Sequence, residues 1–222
     1  MQVKFICRAS QIGAIMTNAR SKNEILGQTA KTYCENWLKE HLYNRKKEFS
    51  NKYTEKGIAV EDKSIEFISD KLGIMMLKNE QYFENDFISG TPDLITNDLV
   101  IDVKNSFDPF TFPLFNSVIP NKDYYYQLQG YMALTGKNKA KLIYTLMDTP
   151  EHIIERECNY YCRSNDLDEL ELYESFKNKM TYSDVEEKYR IKIFDIERDD
   201  KIIEEINQRV LDCRYYINSL EI

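Results

Sequence analysis

Residues 90–104, GTPDLITNDLVIDVK, carry the clearest structural pattern in the chain. Two apolar runs, 94–96 and 99–103, flank the turn-forming pair Asn97-Asp98. Short apolar runs rich in β-branched residues on either side of such a turn are typical of a β-hairpin. We therefore predict two antiparallel strands joined by a two-residue turn.

The predicted turn also fixes which residues face each other. Counting back from Asn97 and forward from Asp98 places Asp93 opposite Asp102, and strand alternation places Lys104 on the same face as Asp102. Opposed carboxylates repel each other unless a cation lies between them. All-oxygen ligands favour Mg²⁺ or Mn²⁺ over zinc. The pattern predicts a metal site in which Lys104 orients or deprotonates a water molecule; the alternative is a hairpin edge of mixed charge without a ligand.

A second acidic residue is predicted to face inward from a helix. The segment from about Ile58 to Gly73 has helical periodicity, and Glu61 shares a stripe with apolar residues, namely Ile65, Ile68 and Leu72. A carboxylate on a core-facing stripe is costly to bury without a partner. Glu66, by contrast, lies on the solvent-facing stripe.

The rest of the chain is predicted to complete one domain, residues 1–222. Ser10 is expected to cap a short helix that ends near Thr17, and Ser21 with Glu24 forms a capping-box pattern for a helix over about 23–43. Further predicted elements are a helix over 122–134, a strand over 141–146, an acidic helical segment over 150–188, a strand over 190–196 and a helix over 200–220.

Composition is that of a globular protein, with 42% hydrophobic and 30% charged residues. No apolar run is long enough to span a bilayer, and the N-terminus lacks signal-peptide features, so a cytoplasmic location is expected. The net charge is −7, yet residues 1–57 hold 11 Lys and Arg against 5 Asp and Glu. This excess permits a DNA-facing N-terminal part, although such charges also simply solvate helices.

The five cysteines indicate reduced thiols, because their number is odd and no secretion signal is visible. Cys158 and Cys162 share one helical face. A metal or Fe–S cluster is the minority interpretation, since the other cysteines are scattered along the chain.

These motifs together resemble the PD-(D/E)xK nuclease superfamily, in particular its phage lambda exonuclease and YqaJ-like branch. The matching elements are Pro92-Asp93 with Asp102-Val103-Lys104, Gly57-x-x-x-Glu61, and Gln127-x-x-x-Tyr131, the last shared with RecB-type nucleases. The resemblance implies an α/β fold with a restriction-endonuclease-like core, in which helices flank a central mixed β-sheet. Residues 150–188 would then be an extra helical insertion.

The resemblance also implies a role for each matching residue. Asp93, Asp102 and the Val103 carbonyl would bind the metal, Lys104 would act on the water, and Glu61 would be an outer acidic partner. Gln127 and Tyr131 lie one helical turn apart, so both can reach one point beside the site.

Lambda-type enzymes further imply a pocket for a terminal 5′-phosphate. Ser10, at a predicted helix N-terminus, and Thr91 suit this role. The family's phosphate-binding arginine has no counterpart at the matching spacing, which leaves Arg8 or Arg20 as candidates.

The implied function is a metal-dependent exonuclease that degrades linear double-stranded DNA in phage or prophage recombination. Its implied partners are a single-strand annealing recombinase and further copies of itself in a ring-shaped trimer. The alternatives are an Fe–S-containing CRISPR-associated or AddB-like nuclease, and a DNA-binding scaffold without hydrolysis.

Overall fold

The computed structural model describes residues 4–47 and 50–221. In this part of the chain the strands are β1 (Cys7–Arg8), β2 (Phe83–Glu84), β3 (Ile88–Gly90), β4 (Leu94–Ile95), β5 (Leu99–Asn105), β6 (Lys139–Thr145) and β7 (Ile191–Glu197). The α-helices are α1 (Ile12–Ile15), α2 (Gln28–Leu42), α3 (Lys52–Leu72), α4 (Lys122–Thr135), α5 (Glu151–Asn165), α6 (Glu169–Met180) and α7 (Asp200–Asn218).

The predicted hairpin is confirmed, and it forms one edge of a four-stranded sheet. Strands β4 and β5 pair antiparallel, with Leu94 opposite Ile101 and Ile95 opposite Val100. The sheet order is β4-β5-β6-β7, in which β5 and β6 run parallel and β7 returns antiparallel. The fold is therefore α/β with a central mixed sheet, as predicted.

Helices cover both faces of this sheet, and the side chains of β5 alternate between the two faces. Val100 packs into the larger core, which includes Leu128 of α4. Ile101 and Val103 point to the other face, where they pack with Ile68 of α3. The polar residues of β5 therefore lie between two helices.

A second, three-stranded sheet was not predicted. Its order is β1-β3-β2, with β3 parallel to β1 and antiparallel to β2. Its strands are only two or three residues long, too short for periodicity to reveal. Strand β3 ends at Gly90, three residues before Asp93, so this small sheet leads directly into the hairpin.

The C-terminal half agrees with the prediction. Helix α4 begins after the Asn121 cap and ends at Gly136, which has a φ of 70°, a left-handed conformation that favours glycine. The predicted helical segment over 150–188 contains the contacting pair α5 and α6, and a short 3₁₀ helix, Glu187–Tyr189, precedes β7. Among the described residues, no helix is long and apolar enough to cross a membrane.

Three helix starts near the N-terminus were predicted wrongly. Helix α2 begins at Gln28 and not near residue 23, because Ser21 caps only a local turn and the chain then passes close to itself: a side chain at Gly27 would lie 2.8 Å from the Asn18 carbonyl. Ser10 lies within a 3₁₀ turn and caps no helix. Helix α3 begins six residues early, at a capping box in which Asn51 and Thr54 satisfy each other's backbone N–H groups.

Candidate active site

The hairpin brings two carboxylates and one ammonium together. Asp93 turns its backbone carbonyl away, to the Asn79 N–H, and its side-chain Oδ2 accepts from the Val103 N–H at 2.7 Å. Asp102, only 1% exposed, has its Oδ2 2.6 Å from Lys104 Nζ. The predicted face is thus present. The Asp93 carboxylate accepts the Val103 N–H, which in a regular β-ladder would donate to a backbone carbonyl of the neighbouring strand.

Burial and mutual repulsion make this site electrostatically strained without a cation. Burial, followed by the charge of Asp102, raises the pKa of Asp93 to about 7. Burial lowers the pKa of Lys104, but attraction to Asp102 and Asp93 outweighs it, so its pKa lies above the ordinary lysine value. In the metal-free protein Lys104 is therefore an ammonium.

The donor set fits a hard divalent cation. Asp102 Oδ2 is buried and, apart from the ion pair with Lys104, accepts no hydrogen bond. In the described part of the chain no three His, Cys, Asp or Glu side chains form a ready metal cage. Mg²⁺ does not need one, because it commonly uses one or two carboxylates and completes its shell with water and phosphate oxygens.

Glu61 lies in the same cleft, which we call the carboxylate cleft. This cleft is lined by Asp93, Asp102, Lys104 and Gln127, and by Glu61 from α3. Glu61 is half-buried and pairs with Lys78 at 2.7 Å, and its charge adds to the raised pKa of Asp93. The predicted helix phase is confirmed, because Ile65 and Ile68 are buried while Glu66 is exposed.

Gln127 and Tyr131 join the carboxylate cleft to the chain before the hairpin. Gln127 Nε2 donates to Asp102 Oδ1 and to the Tyr131 hydroxyl, both at 3.0 Å. The Tyr131 hydroxyl in turn donates to the Thr91 carbonyl at 3.2 Å. Both side chains are buried, so this network fixes the orientation of the Asp102 carboxylate.

A neighbouring cleft, which we call the Arg8 cleft, collects most of the predicted phosphate-binding residues. Arg8, Ser10 and Thr91 all line it, and Ser10 lines the carboxylate cleft as well. Arg8 also pairs with Glu40 at 3.2 Å. Arg20 is exposed and lines neither cleft. Because Ser10 caps no helix, its proposed phosphate contact depends on its hydroxyl and not on a helix dipole.

Several buried or half-buried polar residues around the site were missed by the sequence analysis. Asn105 Oδ1, at the end of β5, accepts hydrogen bonds at 2.5 Å from both Ser64 and Thr145, which ties α3 to two central strands. Lys56 of α3 is completely buried. Lys56, Val60 and Ser64 recur every four residues, so a correct helix start would have placed all three on the inner stripe.

The cysteines lie in two separate groups. Cys158 and Cys162 of α5 have their sulfurs 3.9 Å apart, whereas Cys7, Cys34 and Cys213 belong to the larger core. All five are buried, and none forms a disulfide. The described residues thus contain no four-cysteine set of the kind that an Fe–S nuclease requires.

Solved exonuclease structures are similar to this chain over most of both lengths. A phage-related exonuclease from Haemophilus somnus 129PT has a TM-score of 0.79 and 26% identity, covering 97% of this chain and 95% of that one. This chain has an exonuclease fold. An alkaline exonuclease from Laribacter hongkongensis agrees in fold, with a TM-score of 0.68 and 15% identity over 96% and 88% of the two chains.

The Laribacter enzyme has also been solved in complex with dAMP, and that structure has a TM-score of 0.67 and 17% identity to this chain over 96% and 88% of the two chains. At this identity the likeness extends to the fold alone. No protein-family model and no curated protein sequence matches the chain.

Proposed function

We propose that this protein is a metal-dependent exonuclease that hydrolyses phosphodiester bonds of linear double-stranded DNA. The observation that carries the proposal is the shared face of Asp93, Asp102 and Lys104 at the edge of the central sheet. The fold supports it, because the same architecture occurs in a phage-related exonuclease.

Each residue of the carboxylate cleft has a task in this proposal. Asp93, Asp102 and the Val103 carbonyl hold Mg²⁺ or Mn²⁺, which when bound polarises the phosphate and lowers the pKa of a water molecule. The Lys104 ammonium orients the attacking water and offsets negative charge on the phosphate. Gln127 keeps the Asp102 carboxylate in the metal-binding orientation. Glu61 adds an outer negative charge that favours the cation.

In this proposal the Arg8 cleft makes the protein specific for DNA ends. Arg8 can form a charge-assisted bond with a terminal 5′-phosphate, and Ser10 and Thr91 can donate from their hydroxyl groups. The location of this cleft beside the carboxylate cleft supports the assignment. The resemblance to lambda-type exonucleases adds three further parts to the proposal. The protein acts in phage or prophage recombination, works with a single-strand annealing recombinase, and assembles into a ring-shaped trimer.

A single digestion experiment tests the function. End-labelled linear duplex and covalently closed circular duplex are incubated with the protein in Mg²⁺, Mn²⁺ or EDTA, and with the Asp102→Asn variant as the control for contaminating nuclease. We expect degradation of the linear DNA only, with either metal, and none with EDTA or the variant. Equal cleavage of the circle would indicate an endonuclease, and cleavage in EDTA would refute metal dependence.

A further inference from the structure

The loop between β5 and α4 presents an aromatic ring to the carboxylate cleft. Phe107 and Phe112 of this loop are buried, whereas Phe110 is 97% exposed. Phe110 lines the same cleft as Asp93, Asp102 and Lys104. An exposed phenylalanine costs free energy through its contact with water, and this one lies beside the candidate reaction centre.

Phe110 is held by a tightly hydrogen-bonded turn. Asp108 Oδ1 accepts from the Phe110 N–H at 3.0 Å and from the Thr111 N–H at 2.8 Å. The Thr111 hydroxyl donates to the Asp108 carbonyl at 3.0 Å and accepts from the Asp108 N–H at 3.1 Å. Ser106 Oγ also donates to the Thr111 carbonyl. These bonds fix the backbone that carries the exposed ring.

The turn is anchored to α3 by the buried Lys56. Lys56 Nζ donates to the Phe107 carbonyl at 2.8 Å and lies 5.6 Å from the Phe107 ring centroid and 5.3 Å from that of Tyr182. Burying an ammonium without a direct carboxylate partner is costly. The Phe107 carbonyl reduces this cost by accepting a hydrogen bond from Lys56, so the contact holds the loop against α3. Because the backbone of the turn is already ordered, a ligand that binds Phe110 does not have to order the loop.

We propose that Phe110 is a stacking platform for a nucleobase of the DNA strand entering the carboxylate cleft. The inference rests on the proposed function, because it assigns DNA to this cleft. Aromatic side chains stack on any base, since every base has a π-face. A base inside a duplex is already stacked on both sides, so the ring would accept an unpaired base. The strand would therefore reach the metal site with its terminal base pair already opened.

Phe115 offers a matched comparison on the same loop. It is 94% exposed, nearly as much as Phe110, yet it does not line the carboxylate cleft. If exposed phenylalanines of this loop served a protein partner, both rings would be available to it. The stacking proposal requires only Phe110.

The experiment compares Phe110→Ala, Phe110→Trp and Phe115→Ala with the wild type. A short single-stranded oligonucleotide with 2-aminopurine near its end is titrated with each protein in EDTA, where no hydrolysis occurs. Stacking quenches 2-aminopurine fluorescence. We expect quenching by the wild type, Phe110→Trp and Phe115→Ala, and loss of quenching with about tenfold weaker binding for Phe110→Ala. Melting temperatures should be unchanged, because both rings are exposed.

The outcomes separate this inference from the proposed function. If Phe110→Ala quenches and binds as the wild type does, the stacking role is wrong, even when the protein degrades linear DNA. If the wild type quenches normally but cleaves no DNA with either metal, the nuclease proposal fails while the stacking role stands. If Phe110→Ala and Phe115→Ala impair binding equally, the loop is a general contact surface, and the specific role of Phe110 is refuted.

Discussion

The two adjacent clefts carry opposite charge. The carboxylate cleft contains Asp93, Asp102 and Glu61 around a single half-buried lysine, Lys104. The Arg8 cleft is lined by three basic side chains, Lys4, Arg8 and Lys46, against two acidic ones, Glu40 and Glu84. One cleft therefore suits a cation, and the other suits an anion.

The clefts also differ in how firmly their side chains are held. In the carboxylate cleft, Asp102 is buried and bonded to Gln127 and Lys104. In the Arg8 cleft, Arg8 is half-exposed and forms an ion pair with Glu40. Pre-organised charge is expected where bonds are broken, whereas adaptable charge is sufficient for binding. This difference is consistent with the proposal that hydrolysis occurs in the first cleft and that the second binds the DNA end.

The largest expected effect is on hydrolysis itself. Asp102→Asn and Lys104→Ala should each reduce the rate about a thousandfold or more, because both remove charge that acts at the scissile phosphate. The control is Glu186→Gln, which changes an exposed acidic residue outside both clefts and should leave the rate close to that of the wild type. Rates are measured on linear duplex at saturating Mg²⁺. Normal activity of Asp102→Asn or of Lys104→Ala would place the catalytic centre elsewhere.

The next effect concerns the outer acid of the carboxylate cleft. Glu61→Gln should lower activity roughly ten- to hundredfold, as is typical of residues that support metal ligands. Glu66→Gln, on the exposed side of the same helix, should have no effect. A Mg²⁺ titration of both variants shows whether metal affinity is the cause. Equal activities would exclude Glu61 from the site.

A smaller effect is expected at the DNA end. The wild type should degrade 5′-phosphorylated duplex roughly tenfold faster than 5′-hydroxyl duplex at low DNA concentration, since a hydrogen bond to a charged group contributes about 1.5–3 kcal/mol. Arg8→Ala should remove this preference. Arg20→Ala, which changes an exposed arginine outside both clefts, should retain it. If Arg20→Ala loses the preference and Arg8→Ala keeps it, the assignment of the Arg8 cleft is wrong.

The smallest effect is on stability without metal. Because the pKa of Asp93 is raised to about 7 from 3.8, the protonated acid stabilises the fold at low pH, and this contribution is lost as pH rises through 7. Asp93→Asn resembles the protonated acid at every pH. It should melt on the order of 5 °C above the wild type at pH 8 in EDTA, and at nearly the same temperature at pH 4.

Added Mg²⁺ is the matching control for that measurement. At pH 8 it should raise the melting temperature of the wild type more than that of Asp93→Asn, because a bound cation offsets the repulsion between Asp93 and Asp102. A wild type that melts higher than the variant at pH 8 in EDTA would contradict the strain inferred for this pair.

The sequence was sufficient for the hairpin, because its two-residue turn fixes the register of every pair that follows. It was also sufficient for the phase of α3, where Ile65 and Ile68 define the inner stripe. The start of α2 was not predictable in this way, because a local capping pattern at Ser21 competes with the tertiary approach of Gly27 to Asn18. Local motifs state what a segment can form, and packing decides among the options.

Contacts between distant segments were beyond the sequence. The bond from Lys56 to the Phe107 carbonyl joins residues 51 positions apart, and no spacing rule connects them. The Arg8 cleft likewise depends on the pairing of β1 with β3, two strands too short to recognise. By contrast, Gln127 and Tyr131 were identified because a motif one helical turn in length remains intact on α4.

Residues 90–93, which lead from β3 into the hairpin, are short and conformationally restricted. Gly90 admits no side chain, since a Cβ there would lie 2.9 Å from the Tyr131 ring, and Pro92 fixes its own backbone torsion. Thr91 is held through its carbonyl by Tyr131. The separation of the two clefts is thus a covalent property of a short, stiff segment. If a DNA end is held in one cleft and cut in the other, this segment acts as a ruler that determines how many nucleotides leave in each round.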